Sequence, residues 1–380
     1  MLLATSISLK SMKFEPGNLR GDESIRALSA PLLDIIATTP GLTELSMSVP
    51  GVFFLEVKGA WVRREVPEMD RNRCERLVEA VSYYVKQEIK EESPLLSTTL
   101  PTGERIQVVI PPACDAGQIV ISIRVPDNTE GRTLRSYEQD GIFRKYLWVE
   151  SPNISRFHQQ LCQEDKKLID TLKARNLVDF LTSAILSKKT IAVIGDTGSG
   201  KTTLMKTLCQ IIPPGERILT IEDSRELALP RHPNSAHLLY AKGGAAALRA
   251  TPADLIAACM RLKPDRVLLA ELRGSEAWDF LKLMTTGHSG SITSFHAESC
   301  ALALDRWAFM CKEHPDATSA SSSDIKDLVG LTVDVIVHIT AKKVHDDSGN
   351  FVALDRYVTE VLFDPAARLA RAVGQGVLHA

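Results

Sequence analysis

The chain has 380 residues, of which 44% are hydrophobic and 24% charged, and its formal net charge is −2. This composition is typical of a folded globular protein and excludes the disordered and fibrous classes, while the length predicts two domains. The balanced charge gives no basic excess that would indicate a nucleic-acid partner, although direct nucleic-acid binding through a local patch stays open.

No run of 18 or more apolar residues is present, so the sequence predicts no transmembrane helix. Residues 1–9 are apolar, but they are too short for a signal sequence and no basic segment precedes them. The seven cysteines are scattered without a CxxC pair, which predicts neither a disulfide framework nor a zinc site. We therefore expect a cytoplasmic protein whose contact with a membrane is peripheral.

The N-terminal part, residues 1–140, alternates between helical and strand patterns and predicts a small α+β domain. Apolar residues at helical spacing indicate one helix over residues 24–37 and a second helix capped by Asp70. Short alternating runs predict strands at residues 42–47, 52–56, 60–63, 105–110 and 119–124. Residues 141–170 have a looser pattern and are interpreted as an interdomain linker.

Residues 171–380 alternate short apolar strands with helices. The predicted strands are residues 190–194, 217–221, 266–270, 291–294 and 332–339. Continuous apolar strands separated by helices indicate an α/β domain with a parallel sheet that is covered on both faces.

The clearest chemical signal is the GxxxxGK[ST] pattern that follows the first of these strands and precedes a helix. In this context glycines allow backbone N–H groups to surround a β-phosphate, and the helix N-terminus adds a positive dipole end. Lys201 would reach the β- and γ-phosphates, and the Thr202 hydroxyl would bind Mg²⁺. The alternative is a glycine-rich turn in which Lys and Thr occur by accident. The residues assigned to the nucleotide are Gly195, Asp196, Thr197, Gly198, Ser199, Gly200, Lys201, Thr202 and Thr203.

Two further strands end in acidic residues. Glu271 follows the apolar strand 266–270 and is predicted to polarise the attacking water or to act as a general base. Its alternative is a purely structural pairing with Arg273 or Arg266. Glu222 and Asp223 end strand 217–221, near the edge where phosphates dock in such sheets. We assign Glu222 to catalysis and Asp223, with Thr202, to the metal, while a solvated acidic turn is the alternative.

A glycine-flanked strand at residues 287–297 carries histidines at each end. A neutral imidazole at a strand end can sense a γ-phosphate or position a water molecule. Because it lies beside a P-loop, His296 is predicted to be catalytic, whereas a lone buried histidine is usually structural.

These four segments occur in an order and spacing that resemble the Walker A, Asp box, Walker B and His box of the secretion traffic ATPases. That superfamily includes the type II secretion, type IV pilus and type IV secretion motors. The segment Ala270–Gly274 and the short N-terminal domain most resemble the type IV secretion branch, the VirB-eleven class. Type II secretion relatives often carry a tetracysteine zinc segment that this chain lacks.

The resemblance implies a RecA-like domain preceded by a smaller α+β domain, in a protomer that closes into a homo-hexameric ring. ATP with Mg²⁺ would then bind between the two domains. The family places N-terminal arginines against the phosphates, and the matching positions are Arg105 and Arg124. The alternative is that these two arginines are ordinary surface charges at strand edges, without a role in binding.

The function expected from this resemblance is an ATP-hydrolysing motor that powers type IV secretion, working with inner-membrane components of a secretion complex. The exported substrate could be DNA, protein or pilin. Two alternatives remain open at this point: a pilus or type II secretion assembly ATPase, and a nucleotide-regulated scaffold ring with little turnover.

Overall fold

The computed structural model describes residues 19–126, 132–240 and 250–374. The chain divides into two compact units, the first extending to Val125 and the second beginning at Pro126. The apolar stretch at residues 1–9 lies outside the described residues. Within the described ranges, none of the helices combines the length and the hydropathy that crossing a membrane requires.

The first unit contains a six-stranded antiparallel sheet in the order β3-β2-β1-β6-β5-β4 and two helices. The elements are α1 (Leu19–Thr38), β1 (Leu42–Val49), β2 (Val52–Val57), β3 (Ala60–Glu65), α2 (Arg71–Val85), β4 (Leu95–Thr99), β5 (Arg105–Val109) and β6 (Val120–Arg124).

The predicted α+β character of this unit is confirmed, and its core follows from the sequence pattern. The side chain of Asp70 caps α2 by accepting a hydrogen bond from the backbone N–H of Arg73. Strands β5 and β6 alternate buried and less buried residues, and their buried side chains share one core with the apolar face of α2. Strand β4 was not predicted, because its Ser and Thr residues weaken the apolar alternation.

The second unit contains a seven-stranded sheet in the order β13-β12-β7-β11-β10-β8-β9. Its strands are β7 (Ile191–Ile194), β8 (Ile218–Glu222), β9 (Ser235–Leu239), β10 (Arg266–Leu269), β11 (Ile292–Phe295), β12 (Val335–His345) and β13 (Phe351–Leu362). Its helices are α3 (Leu134–Gln139), α4 (Pro152–Phe157), α5 (Gln163–Lys173), α6 (Leu177–Leu186), α7 (Lys201–Cys209), α8 (Pro252–Cys259), α9 (Glu276–Thr285), α10 (Cys300–Lys312), α11 (Ser322–Thr332) and α12 (Ala366–Gly374).

The predicted parallel sheet is confirmed for all five predicted strands, β7, β8, β10, β11 and β12, and both of its faces are covered. Alternate residues of β7 enter two different cores, Ile191 and Val193 on one face and Ala192 and Ile194 on the other. Two strands were not predicted: β9 pairs parallel with β8 at one edge of the sheet, and β13 pairs antiparallel with β12 at the other. Parallel alignment brings the carboxyl ends of β7, β11, β10 and β8 to one edge, where the predicted site residues follow them.

The segment interpreted as a linker, residues 141–170, is packed into the second unit. Ile154, Phe157, Leu168 and Ile169 are buried in the same core as β7. Helix α4 has only 6 residues and α5 only 11, so neither shows a sustained helical period in the sequence. The division between the two compact units consequently falls at Val125, upstream of the expected segment.

Candidate active site

The P-loop connects the buried strand β7 to helix α7, and its three glycines all have positive φ angles, which other residues rarely adopt. Gly200 stands at the N-terminus of α7 with φ +100°. Gly195 has φ +145°, and a Cβ added there would lie 1.9 Å from the carbonyl oxygen of Ile339. The loop therefore depends on glycine both for its turn and for the close approach of β12.

Lys201 is almost completely buried, with 7% of its surface exposed. Its Nζ donates to the carbonyl oxygens of Gly195 at 2.9 Å and Asp196 at 2.7 Å, so it is held inside the loop. The Oγ of Ser199 is also buried, and it has no hydrogen-bond partner among the residues that the structure describes. A loop with its cation turned inward and a buried hydroxyl unsatisfied is prepared to receive an anion.

His296 lies between the P-loop lysine and the acid that follows β10. Its Nδ1 is 3.4 Å from Nζ of Lys201, and its Nε2 is 3.4 Å from Oε1 of Glu271. Because an ammonium group can only donate, Nδ1 accepts and the ring proton resides on Nε2, facing the carboxylate. Partial burial and the positive charges of Lys201 and Arg273 lower the pKa of His296, which favours this neutral form.

Arg273 connects the two acidic strand ends. Its Nη2 donates to Oε2 of Glu271 at 2.5 Å, and its Nη1 donates to Oδ2 of Asp223 at 3.3 Å. The alternative that Glu271 pairs with Arg273 is therefore realised, while Arg266 pairs with Glu216. Glu271 nevertheless stays 24% exposed and faces His296 as well, so its carboxylate remains within reach of a bound molecule.

Glu222 has different surroundings from those expected of a catalytic acid. Its side chain is completely buried, which contradicts the alternative of a solvated acidic turn. One oxygen accepts from Thr220 at 2.7 Å and lies 3.2 Å from Nδ1 of His237. The other accepts from the backbone N–H groups of Glu226 and Leu227, both at 2.8 Å. The carboxylate therefore fixes the loop after β8, the loop to which Asp223 belongs.

Mg²⁺ is the metal that a P-loop site implies. The parts of the chain that the structure describes contain no group of three or more His, Cys, Asp or Glu side chains that could hold a metal unaided. Thr202 is half-buried in the first turn of α7, and the side chain of Asp223 is 11% exposed. Since Mg²⁺ in such sites keeps several water ligands and shares the substrate phosphates, these two oxygen donors fit a metal that enters with a phosphate ligand.

Arg105 and Arg124, the predicted arginines of the first unit, face each other directly in the β5–β6 ladder. Residues opposite each other in an antiparallel pair lie on the same face of the sheet, and two like charges in this position are unfavourable. Arg124 is exposed and Arg105 half-buried. Glu44 of β1 faces Arg124 from the other side, so the same row of the sheet also contains an acid.

One residue near the P-loop was not predicted. Arg356, on β13, donates from its guanidinium group to the carbonyl oxygen of Gly198. Nothing in the local sequence distinguishes Arg356 from other strand arginines, because its proximity to the loop depends on the pairing of β13 with β12.

The buried β7, the glycine-shaped loop, the inward lysine and the acids at neighbouring strand ends define a P-loop nucleotide-binding domain of the RecA-like class. The family described as Type II/IV secretion system protein matches residues 156–350. The chain is 42% identical over 333 residues to the type IV secretion system protein VirB11 of Brucella suis biovar 1 (strain 1330), with 87% of this chain and 88% of that protein covered. It belongs to the Type II/IV secretion system protein family.

A second relative agrees with this assignment, and a solved structure agrees with the fold. The chain is 38% identical over 299 residues to the type IV secretion system protein PtlH of Bordetella pertussis (strain Tohama I), covering 78% of this chain and 84% of PtlH. The X-ray structure of the Legionella pneumophila ATPase DotB has the same fold, with a TM-score of 0.53, 15% identity and coverage of 94% of this chain and 85% of that one. The expected secretion ATPase family and RecA-like fold are both confirmed.

Proposed function

We propose that this protein is the ATP-hydrolysing motor of a type IV secretion system, and that the site between β7, β8, β10 and β11 is where it binds and hydrolyses ATP with Mg²⁺. The observation that carries the proposal is the single contact chain from Lys201 through His296 to Glu271. It joins the phosphate-binding loop to a partly exposed carboxylate. The relatives named above are type IV secretion proteins, which supports secretion as the process that is driven.

The binding step follows from the P-loop. Backbone N–H groups of the loop and the N-terminus of α7 would surround the β-phosphate. Lys201 would exchange its two carbonyl partners for the β- and γ-phosphates, because a charge-assisted hydrogen bond to phosphate is stronger than one to a neutral carbonyl. Thr202 and Asp223 would hold Mg²⁺, which neutralises charge on the phosphates when it is bound.

The hydrolytic step needs a group that orients and polarises a water molecule next to the γ-phosphate. Glu271 suits this role because it is accessible and is held by Arg273 and His296 on two sides. His296 would keep Glu271 oriented by donating from Nε2, and through Nδ1 it would sense whether Lys201 has moved to the phosphates. We assign Glu222 to positioning, since its oxygens are occupied by donors of the loop that carries Asp223.

The same proposal includes a homo-hexameric ring in which Arg105 and Arg124 bind the phosphates. Arginine suits this task because its planar fork stays charged and matches phosphate oxygens. Because the two arginines face each other in β5 and β6, both could reach one phosphate group. We expect the ring to associate peripherally with inner-membrane components of the secretion complex.

The test is to replace Lys201 with Ala and to measure ATP turnover and nucleotide affinity in the full-length protein. Loss of the phosphate-facing charge should abolish turnover while the far-UV circular dichroism spectrum stays unchanged. Lys326→Ala is the matched control, because Lys326 pairs with Asp305 between helices α11 and α10, away from the P-loop. Turnover of the Lys201→Ala variant at the level of the control would refute the assignment of this loop.

A further inference from the structure

Arg356 is a cation at the P-loop that the secretion-motor proposal does not require. Its Nε and Nη2 atoms both donate to the carbonyl oxygen of Gly198, each at 3.4 Å. Its Cδ would lie 3.8 Å from a Cβ added to Gly200. The guanidinium group therefore lies against the glycine-rich half of the loop.

The backbone holds Arg356 in this place. Strand β12 runs parallel to β7, and the carbonyl oxygen of Ile339 lies directly against Gly195 at the end of β7. Strand β13 is antiparallel to β12, and Arg356 faces Ala341, two residues beyond Ile339. The position of the arginine over the loop is thus set by two adjacent strand pairings and not by a mobile surface segment.

The hydrogen bonds that Arg356 makes are weak ones. A separation of 3.4 Å is at the long end for an N–H···O contact, and the acceptor is a neutral carbonyl shared by two donors. The nearest carboxylate in sequence, Asp355, binds Arg144 instead, at 2.5 and 2.6 Å. Across the part of the chain that the structure describes, Gly198 is the only acceptor of Arg356.

A second cation faces the same loop from inside. The Nζ of Lys201 donates to two carbonyl oxygens of the loop and contacts a ring nitrogen of His296. Two positive groups thus converge on one short loop. This arrangement favours an anion, because a hydrogen bond between a cation and a phosphate oxygen is stronger than one between a cation and a neutral carbonyl oxygen.

We infer that Arg356 is a nucleotide-binding residue, which contacts a phosphate group of the bound nucleoside di- or triphosphate. The inference rests on the proposed function, since it requires that the P-loop binds nucleotide. On binding, the guanidinium group would release Gly198 and turn its fork to phosphate oxygens on the outer side of the loop. Lys201 would remain the contact on the inner side.

The experiment compares full-length wild-type protein with the Arg356→Gln and Arg356→Lys variants. Affinities for ADP and for a non-hydrolysable ATP analogue are measured by titration, and Tm is measured with and without each nucleotide. We expect Arg356→Gln to bind about tenfold to a hundredfold more weakly, the range for loss of one hydrogen bond to a charged group. Arg356→Lys should recover part of the affinity, because it keeps the charge without the fork.

The matched control is Lys343→Gln, which removes one positive charge from an exposed residue of β12 in the same hairpin. Equal affinities of Arg356→Gln and this control would overturn the inference. It would also be overturned if Arg356→Gln lowered Tm without nucleotide but kept the full nucleotide-dependent rise, since Arg356 would then only support the loop. If Arg356→Gln does not fold, the nucleotide affinity of Arg356→Lys is the deciding measurement. An affinity equal to that of the wild type would contradict a phosphate contact through the guanidinium group. Failure of the wild type to bind either nucleotide would refute the proposed function itself.

Discussion

Two neighbouring strand ends carry glutamates with opposite environments. Glu222, at the end of β8, is fully buried and accepts two backbone N–H groups and a threonine hydroxyl. Glu271, after β10, is 24% exposed and contacts an arginine and a histidine. Strands β8 and β10 are adjacent and parallel, so the same edge of one sheet holds both carboxylates.

The comparison separates a carboxylate that organises a loop from one that is available to a ligand. A buried carboxylate whose oxygens are occupied cannot turn towards a substrate without leaving donors unsatisfied, which is costly. An exposed carboxylate with basic partners can exchange those partners for water. Burial and hydrogen-bond partners therefore assign roles that the residue type does not.

The largest effect is expected from Glu271→Gln, which removes the charge and the basicity from the exposed member of the pair. ATP turnover should fall by about 10²–10⁴, the range for loss of a general base, while ATP binding and Tm stay close to wild type. Single-turnover assays and equilibrium titration distinguish the two quantities. If binding disappears together with turnover, Glu271 acts as a metal ligand or a structural partner and the comparison fails.

A second large effect on turnover is expected when charge stabilisation from the first unit is removed. The double variant Arg105→Ala/Arg124→Ala should lower turnover by about tenfold or more, because negative charge on the transferred phosphoryl group would lose two donors. The double variant Arg63→Ala/Arg64→Ala, in strand β3 of the same sheet, is the control. Wild-type turnover from the Arg105/Arg124 variant would show that Glu271 works without the N-terminal arginines.

The same amide substitution at Glu222 should act on stability instead. Glu222→Gln replaces one charged acceptor by an NH₂ donor, so a backbone N–H or the Thr220 hydroxyl loses its partner. We expect a loss of about 2 kcal/mol, which lowers Tm by about 4–8 °C in a unit of this size. Glu271→Gln is the internal control in the same thermal scan. If Glu222→Gln kept the wild-type Tm but lost turnover at low temperature, Glu222 would have a catalytic role instead.

The smallest effect concerns pH and tests the link between Glu271 and the P-loop. Burial and the charges of Lys201 and Arg273 lower the pKa of His296 below the ordinary 6.5, so the folded state favours the neutral ring. The neutral imidazole of His296 contributes fully to folding stability above pH 6.5, and this contribution is lost as the pH falls through the lowered pKa. An NMR titration should give a midpoint below 6.5 for His296, and turnover should decline in the same acidic range. The turnover of His296→Gln should depend less on pH in this acidic range. A midpoint at or above 6.5 for His296 would contradict a neutral ring between Lys201 and Glu271.

Much of the fold could be predicted because apolar strands and motif spacing are local signals. The run Ile191–Ile194 followed by the glycine-rich loop identifies β7 and α7 without further information. Strands β4, β9 and β13 were missed, since small or polar residues interrupt the apolar alternation in each of them. The order of strands in the sheet has no local signal at all.

Within the site, the sequence by itself determined which residues of the second unit could bind phosphate, because a glycine-rich turn before a helix and an inward lysine are consequences of short-range chemistry. Only the tertiary structure shows how each acid is held. Burial and hydrogen-bond partners depend on residues distant in the chain, as when His237 reaches Glu222 across adjacent strands. The same holds for Arg356, which lies 158 residues from its acceptor Gly198 and comes to the loop through the pairing of β13 with β12 and of β12 with β7.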